Sequence, residues 1–238
     1  MKKYLVMMLL CALAGCVGQK EDPEDEPGTP GEEITRSGAG IVLDFTATWC
    51  VNCPRMTTAI EEAGAAGTFI PICVHFQDGM ECNDGNALIA HFGVQAYPSA
   101  VMNMDASTLI TATSKDLILA KLQAASSGKE PCTIEATVGA GGNLDVTVTA
   151  ADDGAYTISA ALVEDGIVAS QTGASDNYVH NAVFRGFLQE ELLGDSLGTL
   201  EKGQSVTRSF SSGDNSGNHR VVVFVCCDGI VNSAVVAS

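Results

Sequence analysis

Apolar and polar positions change rhythm four times along the chain. Residues 4–13 are an apolar run behind Lys2 and Lys3, and residues 17–33 have no apolar periodicity at all. A mixed pattern starts at residue 41. Residues 41–46, IVLDFT, read as a buried strand interrupted only by Asp44. Met56, Ala59, Ile60 and Ala63 then recur at i, i+3, i+4 and i+7, with Thr57, Thr58, Glu61 and Glu62 on the other face. That spacing predicts a helix beginning near Cys53, with Pro54 in its first turn and Gly64 at its end. A strand over 69–76 follows, then a short helix capped by Asp84 and stopped by Gly93 after Phe92. Residues 100–104 and 108–112 read as a hairpin across residues 105–107. Ser114 caps a last helix running to about residue 126, with Asp116 in its first turn. The order is βαβαββα.

Beyond residues 126–131, a polar stretch that reads as a boundary with few contacts, the period becomes two. Residues 133–138, 144–149, 156–164, 206–210, 221–226 and 230–236 alternate like strands, with turns at 139–143 and 152–154. About seven short antiparallel strands over this length predict an all-β immunoglobulin-like sandwich. Residues 175–196 are less regular. The expected organisation is therefore a leader over 1–15, an acidic tether over 16–33, an α/β domain over 34–128 and a sandwich over 131–238.

Composition narrows the class. Hydrophobic residues make up 46% of the chain, which belongs to a globular protein and not a disordered one. The formal charge of -17 becomes more negative still once Lys2 and Lys3 are removed. Such a charge excludes nucleic acid as a partner and opposes adsorption to anionic lipid headgroups.

The start of the chain has secretory features: two lysines, an apolar stretch too short to span a bilayer comfortably, then small residues. Its ending, Leu13-Ala14-Gly15-Cys16, resembles the bacterial lipobox. The resemblance implies cleavage after Gly15 and acylation of Cys16, which would anchor the protein to a membrane. The tether is rich in Asp, Glu, Pro and Gly, and reads as solvated chain. Gln19-Lys20-Glu21-Asp22 also resembles the acidic export signal of surface lipoproteins in the Bacteroidetes. A bland linker and a surface-display signal both remain open.

Cys50-Val51-Asn52-Cys53 falls at the first strand-to-helix junction. Together with Leu43-Asp44-Phe45-Thr46-Ala47-Thr48-Trp49 before it and Phe92-Gly93-Val94-Gln95-Ala96-Tyr97-Pro98 after, it resembles the thioredoxin superfamily over about residues 38–127. The resemblance implies a thiol–disulfide oxidoreductase with no cofactor, a cis-proline at Pro98 facing the dithiol, and Asp44 as the buried carboxylate beneath the cysteines. Two features depart from it. Thioredoxin's extra amino-terminal strand and helix do not fit before Ile41, and Val51-Asn52 matches neither the Gly-Pro of thioredoxins nor the Pro-His of strong oxidases.

The residues themselves make the chemistry reasonable. Unpaired N–H groups at a helix amino terminus stabilise a thiolate at Cys50, and comparable cysteines have pKa values lowered to roughly 3.5–7.5. A second thiol three residues beyond can resolve the mixed disulfide, with Asp44 accepting its proton. Pro98, lacking an N–H, keeps the approach open, and the Tyr97 backbone can pair with a substrate strand. A static disulfide and half a zinc site are the competing readings, although no second pair at ligand spacing follows and no metal is expected. His75 and His91 read as structural.

In the second half, Asn177-Tyr178-Val179-His180-Asn181-Ala182-Val183-Phe184-Arg185 is followed by the strands around 221–225 and 230–234. These resemble the carboxy-terminal part of the twenty-eight-kilodalton outer-membrane-protein (Omp28-related) family of Bacteroidetes, over about residues 130–238. That resemblance implies a cell-envelope lipoprotein. His180, Asn181 and Arg185 are either a recognition patch or a loop-anchoring network. Adjacent Cys226 and Cys227 should face opposite sides of a strand, and one of them is a possible partner for Cys132.

Two functions follow. One is thiol–disulfide exchange at Cys50 and Cys53 on envelope or extracellular proteins. The other is non-catalytic: a surface-displayed binding or adhesion lipoprotein with a redox-silent thioredoxin-like scaffold. Either way the expected place is the outer membrane, lipid-anchored through Cys16, on its periplasmic face or at the cell surface.

Overall fold

The computed structural model describes residues 34–36, 39–65, 67–211 and 217–237. The expected leader (1–15), the expected lipidation site Cys16 and the expected tether to residue 33 lie outside the described residues.

The first half runs β1 (Ile34–Arg36), β2 (Gly40–Thr46), α1 (Cys53–Gly64), β3 (Phe69–His75), α2 (Asn83–Phe92), β4 (Ser99–Met102) and α3 (Lys115–Ala124). β2 lies between parallel β3 and antiparallel β4. Its residues Ile41, Leu43 and Phe45 pack with Leu88, Ile89 and Phe92 of α2. Val42 packs on the opposite face, among Met56 and Ile60 of α1 and Ile118 of α3. A strand covered on both faces has no solvent side, hence an apolar run that only Asp44 interrupts. This is the thioredoxin-like arrangement.

Local chemistry sets the ends of these elements. Pro54 occupies the first turn of α1. The Ser114 hydroxyl accepts the Leu117 N–H at 3.4 Å and opens α3. Gly93 ends α2 in the left-handed region at φ 63°, where a Cβ would be strained. The expected Asp84 cap is corrected: Cys82 is the N-cap, its sulfur accepting from Gly85 N–H, and Asp84 instead accepts the Phe187 N–H at 2.8 Å. The expected 100–112 hairpin is reduced to one bridge pair, Ala100 with Ile110. There the Thr108 hydroxyl accepts the Met102 N–H at 2.8 Å, so a side chain takes a place that a ladder bond would fill.

The second half contains β5 (Thr133–Val138), β6 (Asn143–Thr149), β7 (Gly154–Glu164), β8 (Ile167–Ala169), β9 (Tyr178–His180), β10 (Val183–Phe187), β11 (Asp195–Leu200), β12 (Ser205–Ser211), β13 (His219–Cys227) and β14 (Ile230–Ala237). It is a mostly-β sandwich. The sheet β1-β5-β6-β12 packs its Ile134, Val146 and Val148 against Tyr156, Ile158, Val223 and Val235 of the larger sheet. Period two puts Val222, Phe224 and Cys226 on the other face of β13, where they join Leu43, Phe45 and Phe92 of the first half in one core.

The two halves also share a sheet, ordered β14-β13-β7-β10-β3-β2-β4. β10 runs parallel to β3, and Cys73 N–H donates to Ala182 C=O at 2.8 Å. The edge of β3 for which the sequence offered no amino-terminal strand is thus filled from the second half, while β1 pairs with β5. The 126–131 stretch was expected to make few contacts, yet Asn232 holds it: its side chain donates to the Glu130 carbonyl and accepts the Cys132 N–H.

Candidate functional site

Cys50 closes a disulfide with Cys53, Cα to Cα 5.4 Å, at the amino end of α1. Cys50 is 5% exposed and Cys53 1%. Ala47 and both cysteines form a small buried cluster against which Tyr97 packs, and the Tyr97-Pro98 peptide is cis. The structure thus brings Cys50, Cys53, Tyr97 and Pro98 together. Trp49 stands beside them, 47% exposed, its indole N–H donating to the Phe76 carbonyl and its ring edge-on to Tyr97 at 5.6 Å. Phe76 stacks on the other side of Tyr97 at 5.1 Å.

Asp44, on β2, is 1% exposed and sits in register with Cys73 of β3. The Thr57 hydroxyl, one turn along α1 from Cys53, donates to Asp44 Oδ2 at 3.4 Å, while Oδ1 has no protein hydrogen-bond partner. Burial pushes its carboxyl up to about 7, with the Thr57 bond opposing. A carboxyl with that affinity exchanges protons near neutrality. It lines a cavity of about 110 Å³ together with Thr57, Cys73, His75, Tyr178 and His180. His180 comes from the second half, and its buried Nε2 has no protein partner. Burial, with His75 beside it, holds this imidazole down at about 4, so it is neutral near pH 7.

His75, read as structural, is tied to its neighbours. Its Nδ1 meets Asp78 Oδ2 at 2.8 Å, and the same carboxylate accepts the Thr48 N–H. Asp78 is held below the usual carboxylate range: burial alone would raise it, but the His75 pairing and backbone donors outweigh that. His91 is exposed and stacks edge-on to Phe92. Asn181 and Arg185 anchor loops, through the Gly166 N–H and through Glu164.

Gln171 carries no sequence signal. It is 5% exposed, and its Nε2 donates to the carbonyls of Cys50 at 3.0 Å and Ala47 at 3.3 Å across more than 120 residues of chain. Thr57 was legible only as a polar position. Its placement one turn after Cys53 is the signal that could have flagged it.

Cys73, Cys82, Cys132, Cys226 and Cys227 are free thiols, so the possible bridge from Cys132 is absent. Among the described residues, no group of three or more His, Cys, Asp or Glu is placed to hold a metal. No described helix is long and apolar enough to cross a membrane.

The fold and the disulfide at a helix amino terminus define a thioredoxin-like protein fused to a β-sandwich. A thioredoxin family model matches residues 30–125, and the model described as outer membrane protein Omp28 matches residues 85–237. The chain belongs to the Omp28 family of outer membrane proteins, which makes it a protein associated with the cell envelope. Among solved structures it resembles HBP35 of Porphyromonas gingivalis, with a TM-score of 0.69 and 17% identity over 84% of this chain and 74% of that one. A crystal structure of an Agrobacterium tumefaciens protein aligns with a TM-score of 0.57 and 13% identity, over 83% of this chain and 93% of that one. At these identities both show the fold alone. No curated protein matches the chain.

Proposed function

We propose that the chain is a lipid-anchored envelope protein that carries out thiol–disulfide exchange at Cys50 and Cys53. The observation that carries this reading is the disulfide at the amino end of α1, packed with Tyr97 and Ala47.

In the reduced protein, the Cys50 thiolate attacks one sulfur of a partner disulfide. A Cys50–partner S–S bond forms, the partner's own S–S bond breaks, and one partner thiolate leaves. Asp44 then takes the Cys53 proton, and the Cys53 sulfur attacks Cys50. The protein disulfide closes, the second partner thiolate leaves, and two electrons have passed to the partner. The same steps in reverse oxidise a partner dithiol. Tyr97 would offer its backbone to an extended partner segment, and Pro98 leaves that approach unobstructed. The partners are envelope or extracellular proteins, with Cys16 anchoring the protein in the outer membrane, on either its periplasmic face or the cell surface.

One observation favours the non-catalytic reading, in which the scaffold is redox-silent: Cys50 is 5% exposed. Trapping decides between the two. In a background lacking the five free cysteines, Cys53→Ala should accumulate mixed disulfides with envelope proteins, because no thiol resolves them, and Cys50→Ala should not. If neither variant traps a partner, and both react equally with a thiol probe, the exchange reading fails.

A further inference from the structure

The loop that follows β8 reaches across to the redox loop and touches it at successive residues. Gln171 Nε2 donates to the carbonyls of Ala47 and Cys50. Thr172 N–H donates to the Thr48 carbonyl at 2.8 Å. Gly173 lies at φ +86°, and a Cβ there would overlap the Val51 carbonyl oxygen, so this close approach admits only glycine. The loop is folded on itself before it makes these contacts: Gln171 N–H donates to the Ser175 carbonyl, and Ala174 N–H to the Gln171 carbonyl. It is therefore a preformed clamp, contributed by the second half, on the backbone of residues 47–51.

The contacts fall where they bear on sulfur chemistry. Covalent geometry keeps the Cys50 carbonyl oxygen close to its own sulfur, and its partial negative charge opposes a thiolate there. Within the redox loop that oxygen receives only the Cys53 N–H, at 3.3 Å, and the Ala47 oxygen receives the Cys50 N–H at 3.1 Å. The Gln171 amide adds a donor to the Cys50 carbonyl at 3.0 Å and shares its second N–H between the Ala47 carbonyl at 3.3 Å and the neighbouring Thr172 carbonyl at 3.2 Å. It is buried, so water does not compete for those bonds and the amide dipole is poorly screened.

We propose that Gln171 is a positioning residue of the redox site: by saturating the Ala47 and Cys50 carbonyls it favours the Cys50 thiolate and shifts the couple toward the dithiol. This rests on the exchange reading above. It also gives the fused sandwich a chemical task beyond filling the edge of β3, since a thioredoxin-like half alone contains no counterpart of this amide.

The test uses the full chain and glutathione as the redox probe. Gln171→Met keeps the length and burial of the side chain but removes both donors. The glutathione ratio that half-reduces Cys50–Cys53 should move toward more reducing buffer by about three- to tenfold, the size of one net hydrogen bond. Iodoacetamide should alkylate Cys50 more slowly by a similar factor at neutral pH. Gly173→Ala, which forces the clamp off Val51 and so draws the unaltered Gln171 side chain away from the two carbonyls, should shift both readouts the same way, and it carries the test alone if Gln171→Met does not fold. A folded Gln171→Met with the parent's glutathione equilibrium and alkylation rate overturns the proposal. If the parent itself never equilibrates with glutathione, the exchange reading falls and takes this one with it.

Discussion

Cys50 and Cys53 close a disulfide at the strand-to-helix junction, whereas Cys226 and Cys227, neighbours on β13, stay separate thiols. Both pairs are buried, so burial does not distinguish them. Backbone geometry does. A helical turn brings residues three apart within disulfide reach, while a strand points successive side chains to opposite faces. Cys226 accordingly lies in the core shared by the two halves and Cys227 in the core of the sandwich. Their electrostatics diverge as well. Cys50 precedes the amino end of α1, where a helix dipole favours a thiolate, while burial pushes the Cys226 thiol up to about 12 and Cys132 to about 11. Cysteine type alone decides none of this chemistry.

The widest gap should appear in alkylation of the reduced, folded protein at pH 8. Burial holds the Cys226 thiol protonated at that pH, whereas Cys50 sits just ahead of the amino end of α1. Peptide mapping after brief iodoacetamide treatment should find Cys50 modified at least about 10²-fold faster, since the greater nucleophilicity of a high-pKa thiolate offsets part of its scarcity. Comparable labelling of Cys226 in the folded state would erase the contrast drawn above.

Activity should separate the pairs next. Cys50→Ala should reduce disulfide exchange by at least about a thousandfold, since the attacking sulfur is gone. Cys132→Ala, Cys226→Ala and Cys227→Ala combined should leave the rate of the folded protein within about twofold. Stopped-flow thiol release from a disulfide peptide reads both.

The redox loop was legible in the sequence because its chemistry is local: a strand, four residues of motif and an amphipathic helix. Asp44 stood out as the one charge in an apolar run, and Pro98 through its resemblance to a cis-proline. The strands of the sandwich were equally plain wherever period two held. What stayed hidden depends on long-range pairing. β9, β10 and β11 are short, and register shifts at Phe184/Gly186 and Ser196/Gly198 break the alternation that would reveal them. Gln171 acts across more than 120 residues, and no local spacing announces such a partner. The shared sheet was unreadable for the same reason, since it rests on β10 reaching β3.

Asp44 supplies a smaller effect with a definite sign. Its folded value of about 7 lies above the ordinary 3.8, so between those limits the folded state holds a proton that the unfolded chain has lost. Stability should therefore fall as pH rises from about 4 to 7. Asp44→Asn removes that loss: in the oxidised protein it should be more stable than the parent by about 3–4 kcal/mol at pH 8, and nearly equal to it at pH 3.5. Urea unfolding at the two pH values measures the difference, and an equal gap at both would reject this account. The same variant should slow closure of the Cys50–Cys53 disulfide by about 10²-fold, because Cys53 loses its proton acceptor.

The smallest effect tests how closely the two cysteine regions are joined. Cys226→Ala removes one sulfur from the core where Val222 and Phe224 meet Leu43, Phe45 and Phe92. The loss should be about 1 kcal/mol, a Tm shift of about 2–4 °C for a body of this size. Trp49 is the single tryptophan of the chain and stands in the first half beside Cys50, so its fluorescence reports that half, while the strand component of the infrared amide I band is weighted toward the second, which holds ten of the fourteen strands. With the β3–β10 pairing and one core spanning both halves, the two signals should melt together in the parent and shift together in Cys226→Ala. A shift in the strand signal with Trp49 unmoved would mean that the halves unfold independently, and that the β13 thiols and the redox loop belong to separate cooperative units.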